Sequence, residues 1–277
     1  MNFDHISKDD LIYKSNNTSS AKERIDCLEK ILDIDPNDAE TWQNLGNMQY
    51  RFDNQKATQS WKTSAEKYRK RIDAFKEDAI KYKKNPSHLQ HMNIESSNVI
   101  HEIGKHFFKL GQVYQNLEEH SLATDSFKKA FELKPDEHIC LYFIGKSLYD
   151  NDKLDESKKY LIQLNEKQNN FQAHYFLGCI YWNQDYTSQA LSEFWKCIDS
   201  EENDSVSDYY RYMSYHNMEN MNLAEQYLKQ SIEKDPDDLN LVYEIIEYYE
   251  GNNQSEKAYK YYKIIQSKRN MVKNFRL

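Results

Sequence analysis

Large apolar residues and small residues recur along the chain with a period of 33 or 34 residues. A glycine follows a large apolar residue at Leu45-Gly46, Leu110-Gly111, Ile144-Gly145 and Leu177-Gly178. A small residue recurs with spacings of 34, 33, 34 and 34, at Ala123, Ser157, Ala190, Ala224 and Ala258. A large residue comes four positions after each of these, and Pro36, Pro135 and Pro236 close their units. Regularity over most of the chain predicts a repeat architecture.

Each repeat unit predicts two antiparallel helices. The glycine on the first helix and the small residue on the second let the two backbones approach closely. The proline ends the second helix because it has no N–H to donate. One helix pair cannot bury its apolar face alone, so the pairs are expected to stack. The sequence therefore predicts an all-α fold of about seven stacked helix pairs.

The order of these residues resembles the tetratricopeptide repeat family, whose pattern reads W-x2-L-G-x2-Y, then A-x3-F, A and P. The unit at 104–137 matches best, through Phe107, Leu110, Gly111, Tyr114, Ala123, Phe127, Ala130 and Pro135. The unit at 38–70 supplies Trp42, Leu45, Gly46, Ala57 and Trp61. The resemblance implies a right-handed α-solenoid over residues 1–277 that binds other proteins and has no catalytic activity.

The period divides this solenoid into repeats of unequal regularity. We expect a partial repeat at 1–37, a repeat at 38–70, an inserted helical hairpin at 71–103, regular repeats at 104–137, 138–170 and 171–204, and degenerate repeats at 205–238 and 239–277, the last with a basic tail. Tyr212 and Ile246 stand where the repeat calls for a small residue. Their bulk predicts that the helices there splay apart or shift register.

The inserted hairpin is predicted from a second periodicity. Apolar residues step by four and three along a heptad seam at Tyr68, Ile72, Phe75, Ala79 and Tyr82. A helix starting near residue 57 should run to about residue 84, Pro86 should end it, and a second helix should span about residues 94–117. The hairpin either packs on itself and the neighbouring repeats, as in a coiled coil, or provides a contact for a partner or a second copy.

An aromatic row follows the first helices, three residues before each glycine. It comprises Phe108, Tyr142 and Tyr175, with Tyr209 and Tyr243 at the equivalent positions of the degenerate repeats. We predict a peptide-binding groove along this row, completed by Lys146 and by the acidic pair Glu247 and Glu250. The row can receive an extended peptide or an amphipathic helix, or it can serve only to pack neighbouring repeats. Because Asn47 and Lys146 alone suit a carboxylate clamp, we do not expect one.

Composition and charge narrow the possible partners. The chain has 6 glycines, 4 prolines and 22 tyrosines, and its net charge is −8. Residues 199–256 carry fifteen acidic and three basic side chains, which favours a basic peptide or helix as partner. Residues 56–84 carry a net charge of +6, which we interpret as a solvated helix face rather than a nucleic-acid surface. No secretory segment or membrane span is visible, and four scattered cysteines indicate a reducing, cytoplasmic setting.

Motifs that carry chemistry are missing from the sequence. We find no glycine-rich phosphate loop and no nucleophile motif, and we expect no cofactor. The histidines at 88, 91, 101 and 106 could form a cluster at the hairpin, but solvated histidines are commoner than metal ligands. The sequence predicts a protein-binding scaffold rather than an enzyme. The alternative is a self-assembling structural protein whose hairpin and C-terminal repeats form the contacts between copies.

Overall fold

The computed structural model describes residues 7–18, 20–50, 53–83, 89–134, 137–236 and 238–273, with side chains described outside 78–99 and 268–273. Within these residues it contains fourteen α-helices and no strand. The chain divides into two compact units, Met1–Lys153 and Leu154–Leu277. The expected all-α fold built from helix pairs is confirmed.

The first unit holds seven helices in its described part. They are α1 (Lys8–Asn17), α2 (Ala21–Ile34), α3 (Ala39–Tyr50), α4 (Asn54–Lys83), α5 (Leu89–Asn116), α6 (His120–Leu133) and α7 (Ile139–Asp150). They pack as the pairs α1–α2, α3–α4 and α5–α6, and α7 packs on α6. Leu11, Leu28, Ile31 and Leu45 join the first two pairs in one buried cluster.

The second unit holds α8 (Leu154–Lys167), α9 (Phe171–Asn183), α10 (Thr187–Ile198), α11 (Ser205–Asn217), α12 (Met221–Lys234), α13 (Leu239–Gly251) and α14 (Ser255–Lys273). It is built from the pairs α9–α10, α11–α12 and α13–α14, and α8 packs on α9. Its core includes Leu228, Ile245, Tyr249 and Ile265, each at most 3% exposed.

Two of the helices are about twice as long as the others. α4 has 30 residues and α5 has 28, and they pack on each other. α4 ends within one residue of the expected boundary, whereas α5 begins at Leu89, five residues before the expected start. Tyr68 and Ile72 of the heptad seam are buried, and the Tyr68 ring packs edge-on against His106 of α5. The seam positions 79 and 82, and Pro86, lie outside the residues whose side chains are described.

The recurring glycines at 46, 111 and 178 each lie against an aromatic ring on the second helix. A Cβ on Gly111 would lie 2.7 Å from Phe127 Cε1, and a Cβ on Gly178 would lie 2.5 Å from Phe194 Cε1. Gly46 meets the Trp61 ring in the same way. The expectation that glycine faces the small residue is therefore corrected: the ring four residues further along the second helix occupies the space above the glycine.

In the degenerate repeats the bulky residues at the glycine position, Tyr212 and Ile246, are buried. At 205–238 the smaller Leu228 replaces the aromatic ring and is fully buried, while the Tyr212 ring turns toward α13. α11 and α12 nevertheless pack as a pair, so a bulky residue at the glycine position is compatible with pairing. At 239–277 Ile246 is buried, and the Tyr262 ring is left 37% exposed.

Five first helices end in the same left-handed turn, although none of the five turn residues is glycine. Their φ angles lie between 56° and 61°, at Glu118, Asp152, Asp185, Glu219 and Asn253. The following N–H bonds back to a carbonyl five residues earlier, as in Tyr186 N to Tyr181 O at 2.9 Å. The N–H of the turn residue itself bonds to a carbonyl three residues earlier, as in Asp185 N to Trp182 O at 3.1 Å. The two hydrogen bonds together form a Schellman motif, which ends the first helix of the pair.

Candidate functional site

The three tyrosines of the aromatic row in the second unit lie on successive first helices. Tyr175 is on α9, Tyr209 on α11 and Tyr243 on α13, and each is half-buried. The Tyr175 ring packs edge-on against Tyr210 and Phe176, with centroid distances of 5.3 Å to both. One part of each side chain therefore contributes to packing, and the other part faces solvent.

Tyr212 connects α11 to α13. The Tyr212 hydroxyl donates to Glu244 Oε1 at 2.8 Å, and its ring lies 6.2 Å from that of Tyr248 and 5.7 Å from that of Tyr209. Burial, together with the nearby Glu244 carboxylate, raises the pKa of Tyr212 and of Tyr209. Both phenols therefore stay protonated donors, and the negative charge of this surface comes from the glutamates.

The acidic end of the row lies on α13. Glu247 and Glu250 are exposed, and Glu250 accepts a hydrogen bond of 2.9 Å from the Tyr262 hydroxyl of α14. Glu244, which the sequence places at the same spacing of three, is instead half-buried and held by Tyr212. Tyr212 and Tyr262 were missed at the sequence level. Tyr212 stands at the glycine position of its repeat, and Tyr262 stands four residues after Ala258. These positions in the repeat would have identified them.

The groove residues predicted in the first unit are less available. Phe108 packs edge-on against Phe143 and Phe127, with centroid distances of 5.1 and 5.4 Å. Tyr142 is only 5% exposed, so it has little surface to offer a ligand. Lys146 is half-exposed and pairs with Asp150 at 2.5 Å. The aromatic row is therefore more accessible in the second unit than in the first.

A separate polar cluster lies at the start of α9. His174 is 6% exposed, its Nδ1 lies 2.6 Å from Glu193 Oε2, and its Nε2 lies 2.8 Å from Asn169 Oδ1. Lys196 Nζ pairs with the other carboxylate oxygen of Glu193 at 2.6 Å. Burial acts to raise the pKa of Glu193, but hydrogen bonds from His174 and Lys196 outweigh it, and the pKa lies below its ordinary value of 4.5.

This carboxylate predicts a loss of stability in acid. A lowered folded-state pKa stabilises the protein above the unfolded value of about 4.5, and this stabilisation is lost as the pH falls through the folded-state pKa. We expect the free energy of unfolding to fall less steeply between about pH 5 and pH 3 for Glu193→Gln than for the parent protein. Urea denaturation across this range provides the measurement, with Glu166→Gln, a change at an exposed residue of α8, as control. Parallel curves for the parent protein and Glu193→Gln would contradict the assignment.

The described side chains hold no cluster of three or more metal-ligating groups. His106 Nδ1 donates to the carbonyl oxygen of Glu102 at 2.7 Å, and the ring packs against Tyr68 and Phe75. The side chains at 88 and 91 lie outside the described residues. No described helix is both long and apolar enough to cross a bilayer. The four cysteines are buried and form no disulfide.

The tetratricopeptide repeat family model matches residues 107–137, 171–204 and 213–238. These three segments of the chain are tetratricopeptide repeats. Repeats of this family act as protein-interaction scaffolds, and that is the class of function its repeats support. Among curated proteins no match was found.

The chain is similar to two solved structures, among others. A thermophilic tetratricopeptide repeat protein of Thermus thermophilus is 12% identical, with 76% of this chain and 97% of that chain covered and a TM-score of 0.50. PilF of Pseudomonas aeruginosa is 13% identical, with 84% and 94% covered and a TM-score of 0.47. At these identities the similarity concerns the fold alone.

Proposed function

We propose that the second unit of this chain binds a basic segment of a partner protein along the row of Tyr175, Tyr209 and Tyr243. The observation that carries the proposal is the combination of half-buried rings on three successive first helices with exposed carboxylates at the end of the row. Half-buried tyrosines provide apolar contact area whose position is already fixed, so little side-chain entropy is lost on binding.

Charge defines the partner. Glu247 and Glu250 lie three residues apart on α13, and like charges at this spacing repel by a few tenths of a kcal/mol. A lysine or arginine placed between them would remove this repulsion. The surrounding segment 199–256, with a net charge of −12, would also speed the encounter with a cationic ligand. The partner segment is therefore expected to carry apolar side chains on one face and lysines or arginines on another.

Two labelled synthetic peptides test this proposal. Both are amphipathic, with leucines on one face, and they differ only in carrying lysines or glutamates on the other. Fluorescence anisotropy is expected to show binding of the lysine peptide alone. Charge reversal at Glu247 and Glu250 should weaken its affinity about tenfold at low salt, and less as salt screens the charges. Tyr175→Ala should weaken it at every salt concentration.

Glu233→Lys is the matched control, since Glu233 is exposed on a second helix. It should leave the affinity close to that of the parent protein at moderate salt. Equal binding of the two peptides would refute the charge preference. Reversal of Glu247 and Glu250 without effect at low salt would show that the acidic end only keeps the last repeat solvated, and the binding site would then have to be sought on α4 and α5.

A further inference from the structure

A second row of exposed side chains accompanies the row of tyrosines in the second unit. Residues seven apart lie on the same face of an α-helix. Seven residues after its tyrosine, each of the three first helices carries a side chain that is exposed. This second row comprises Trp182 on α9, His216 on α11 and Glu250 on α13.

Contacts between neighbouring first helices hold the two rows side by side. Asn217 Nδ2 of α11 donates to Cys179 Sγ of α9 at 3.7 Å. On the other side of α11, the Tyr212 hydroxyl donates to Glu244 of α13. A ligand that runs along the rows therefore meets α9, α11 and α13 in that order.

Charge changes abruptly along this order. α9 has no acidic residue, no lysine and no arginine. α11 has one aspartate and one arginine, but Asp208 and Arg211 are both buried and pair with each other. α13 has three glutamates and no basic residue, and its Glu247 and Glu250 are exposed. The acidic character of the rows is therefore confined to the third helix.

The first two helices expose apolar side chains instead. Trp182 is 41% exposed, and its ring centroid lies 6.5 Å from that of the buried Phe194 ring. Val206, which is three residues before Tyr209 on α11, is 48% exposed. Tryptophan is enriched among the residues that dominate binding energy at interfaces. A tryptophan that rests partly on the core and partly in solvent offers contact area at little cost in side-chain entropy.

We propose that the partner segment consists of two blocks, an apolar block that lies over α9 and α11 and a lysine- or arginine-rich block that lies over α13. This inference rests on the proposed function and adds the order of side chains along the segment. Trp182 anchors the apolar block, and Glu247 and Glu250 pair with the cations. A segment in which the two kinds alternate would place a cation against Trp182, where no carboxylate of α9 compensates for its lost hydration.

The spacing of the helices sets the length of the blocks. Packed helices lie about 8–10 Å apart. An extended chain advances about 3.3 Å per residue, so it passes from one helix to the next in about three residues. The first cation is therefore expected about six residues from the side chain that contacts Trp182.

Three labelled peptides of equal composition test this order. They have about ten residues, which is too short for a stable isolated helix. In the first a leucine-rich half precedes a lysine-rich half, in the second the halves are reversed, and in the third leucine and lysine alternate. Fluorescence anisotropy is expected to show that the better block peptide binds about tenfold more tightly than the alternating peptide.

Two sets of variants locate the blocks. Trp182→Ala should weaken binding of the block peptide at every salt concentration and more than that of the alternating peptide. Trp182→Phe, which keeps an aromatic ring at this position, should retain most of the affinity. The exchange of His216→Glu with Glu250→His moves one exposed carboxylate from α13 to α11 and should reduce the preference for the block peptide about threefold. Lys159→Glu, an exposed change on α8, adds the same charge elsewhere and should leave the preference unchanged.

Equal binding of the block and alternating peptides would overturn the order but not the proposed function, which requires only that lysine peptides bind and glutamate peptides do not. An unaltered preference in the exchange variant, or a Trp182→Ala variant that binds the block peptide as the parent protein does, would also overturn the order. Absence of binding by every lysine peptide would refute the proposed function, and this inference with it.

Discussion

Replacing Arg211 by methionine is expected to lower the free energy of unfolding by about 3–5 kcal/mol. The Arg211 side chain is 10% exposed and pairs with Asp208 at 2.9 Å, whose own side chain is 2% exposed. Its other nitrogens donate to the carbonyl oxygens of Ile198, Ser200 and Glu202, at 3.1, 2.7 and 2.7 Å. Methionine would keep the length of the side chain and leave a buried carboxylate and three carbonyls short of donors.

Urea denaturation of the full chain measures this effect. Lys234 Nζ lies 2.5 Å from the other oxygen of Asp208 and remains as a partner of this carboxylate in the variant. We therefore expect the loss of unfolding free energy to fall in the lower half of the stated range. Lys159→Met, an exposed change on α8, should stay within about 0.5 kcal/mol of the parent protein. A similarly small effect at Arg211 would show that the segment between α10 and α11 is held by other contacts.

Replacing Gly178 by alanine should cost about 1–3 kcal/mol, a large effect for one methyl group. The added Cβ would lie 2.5 and 2.6 Å from two carbons of the Phe194 ring, which is fully buried and cannot move aside. A second change, Phe194→Leu, should recover part of the loss in the Gly178→Ala background. The same change should destabilise the parent protein, because there it opens a cavity.

The neighbouring repeat motivates this rescue, since it pairs Tyr212 with the smaller Leu228. Thermal unfolding of the two single variants and the double variant gives a coupling energy. Additive effects would mean that position 178 and the ring at 194 are not in contact, contrary to the geometry.

The fold could be predicted because its signals are local and periodic. The recurring glycines, small residues and prolines report helix pairs wherever they occur, and the heptad seam reports the extended helix α4. The direction in which a single side chain points is not predicted by these periodic signals. The sequence does not tell that the glycine faces an aromatic ring, or that Tyr212 leaves its own helix pair and reaches Glu244.

For the candidate site, the period predicts on which helix each aromatic residue lies but not how exposed its side chain is. The spacing placed Tyr175, Tyr209 and Tyr243 on successive first helices, and the structure has them there, half-buried. The same spacing placed Tyr142 in the row, but it is only 5% exposed. Burial depends on neighbours distant in sequence, so a rule based on period cannot supply it.

Buried polar residues were also hidden from sequence reasoning. His174 and Asp208 stand four residues before the glycine position, where the best-matching repeats have Trp42 and Phe107. Each is satisfied by partners that only the folded chain brings together: Glu193 and Asn169 for the histidine, Arg211 and Lys234 for the aspartate. Their polarity alone would have suggested exposure.

The five left-handed turns keep the same backbone conformation although their residues differ. A residue other than glycine adopts this backbone conformation at a cost of about 1–2 kcal/mol, which the fold evidently tolerates at Glu118, Asp152, Asp185, Glu219 and Asn253. The glycine of the first helix is replaced at Tyr212 and Ile246, yet the turns that follow them are unchanged. The torsion angle and its hydrogen bonds therefore repeat along the chain even where the repeat sequence does not.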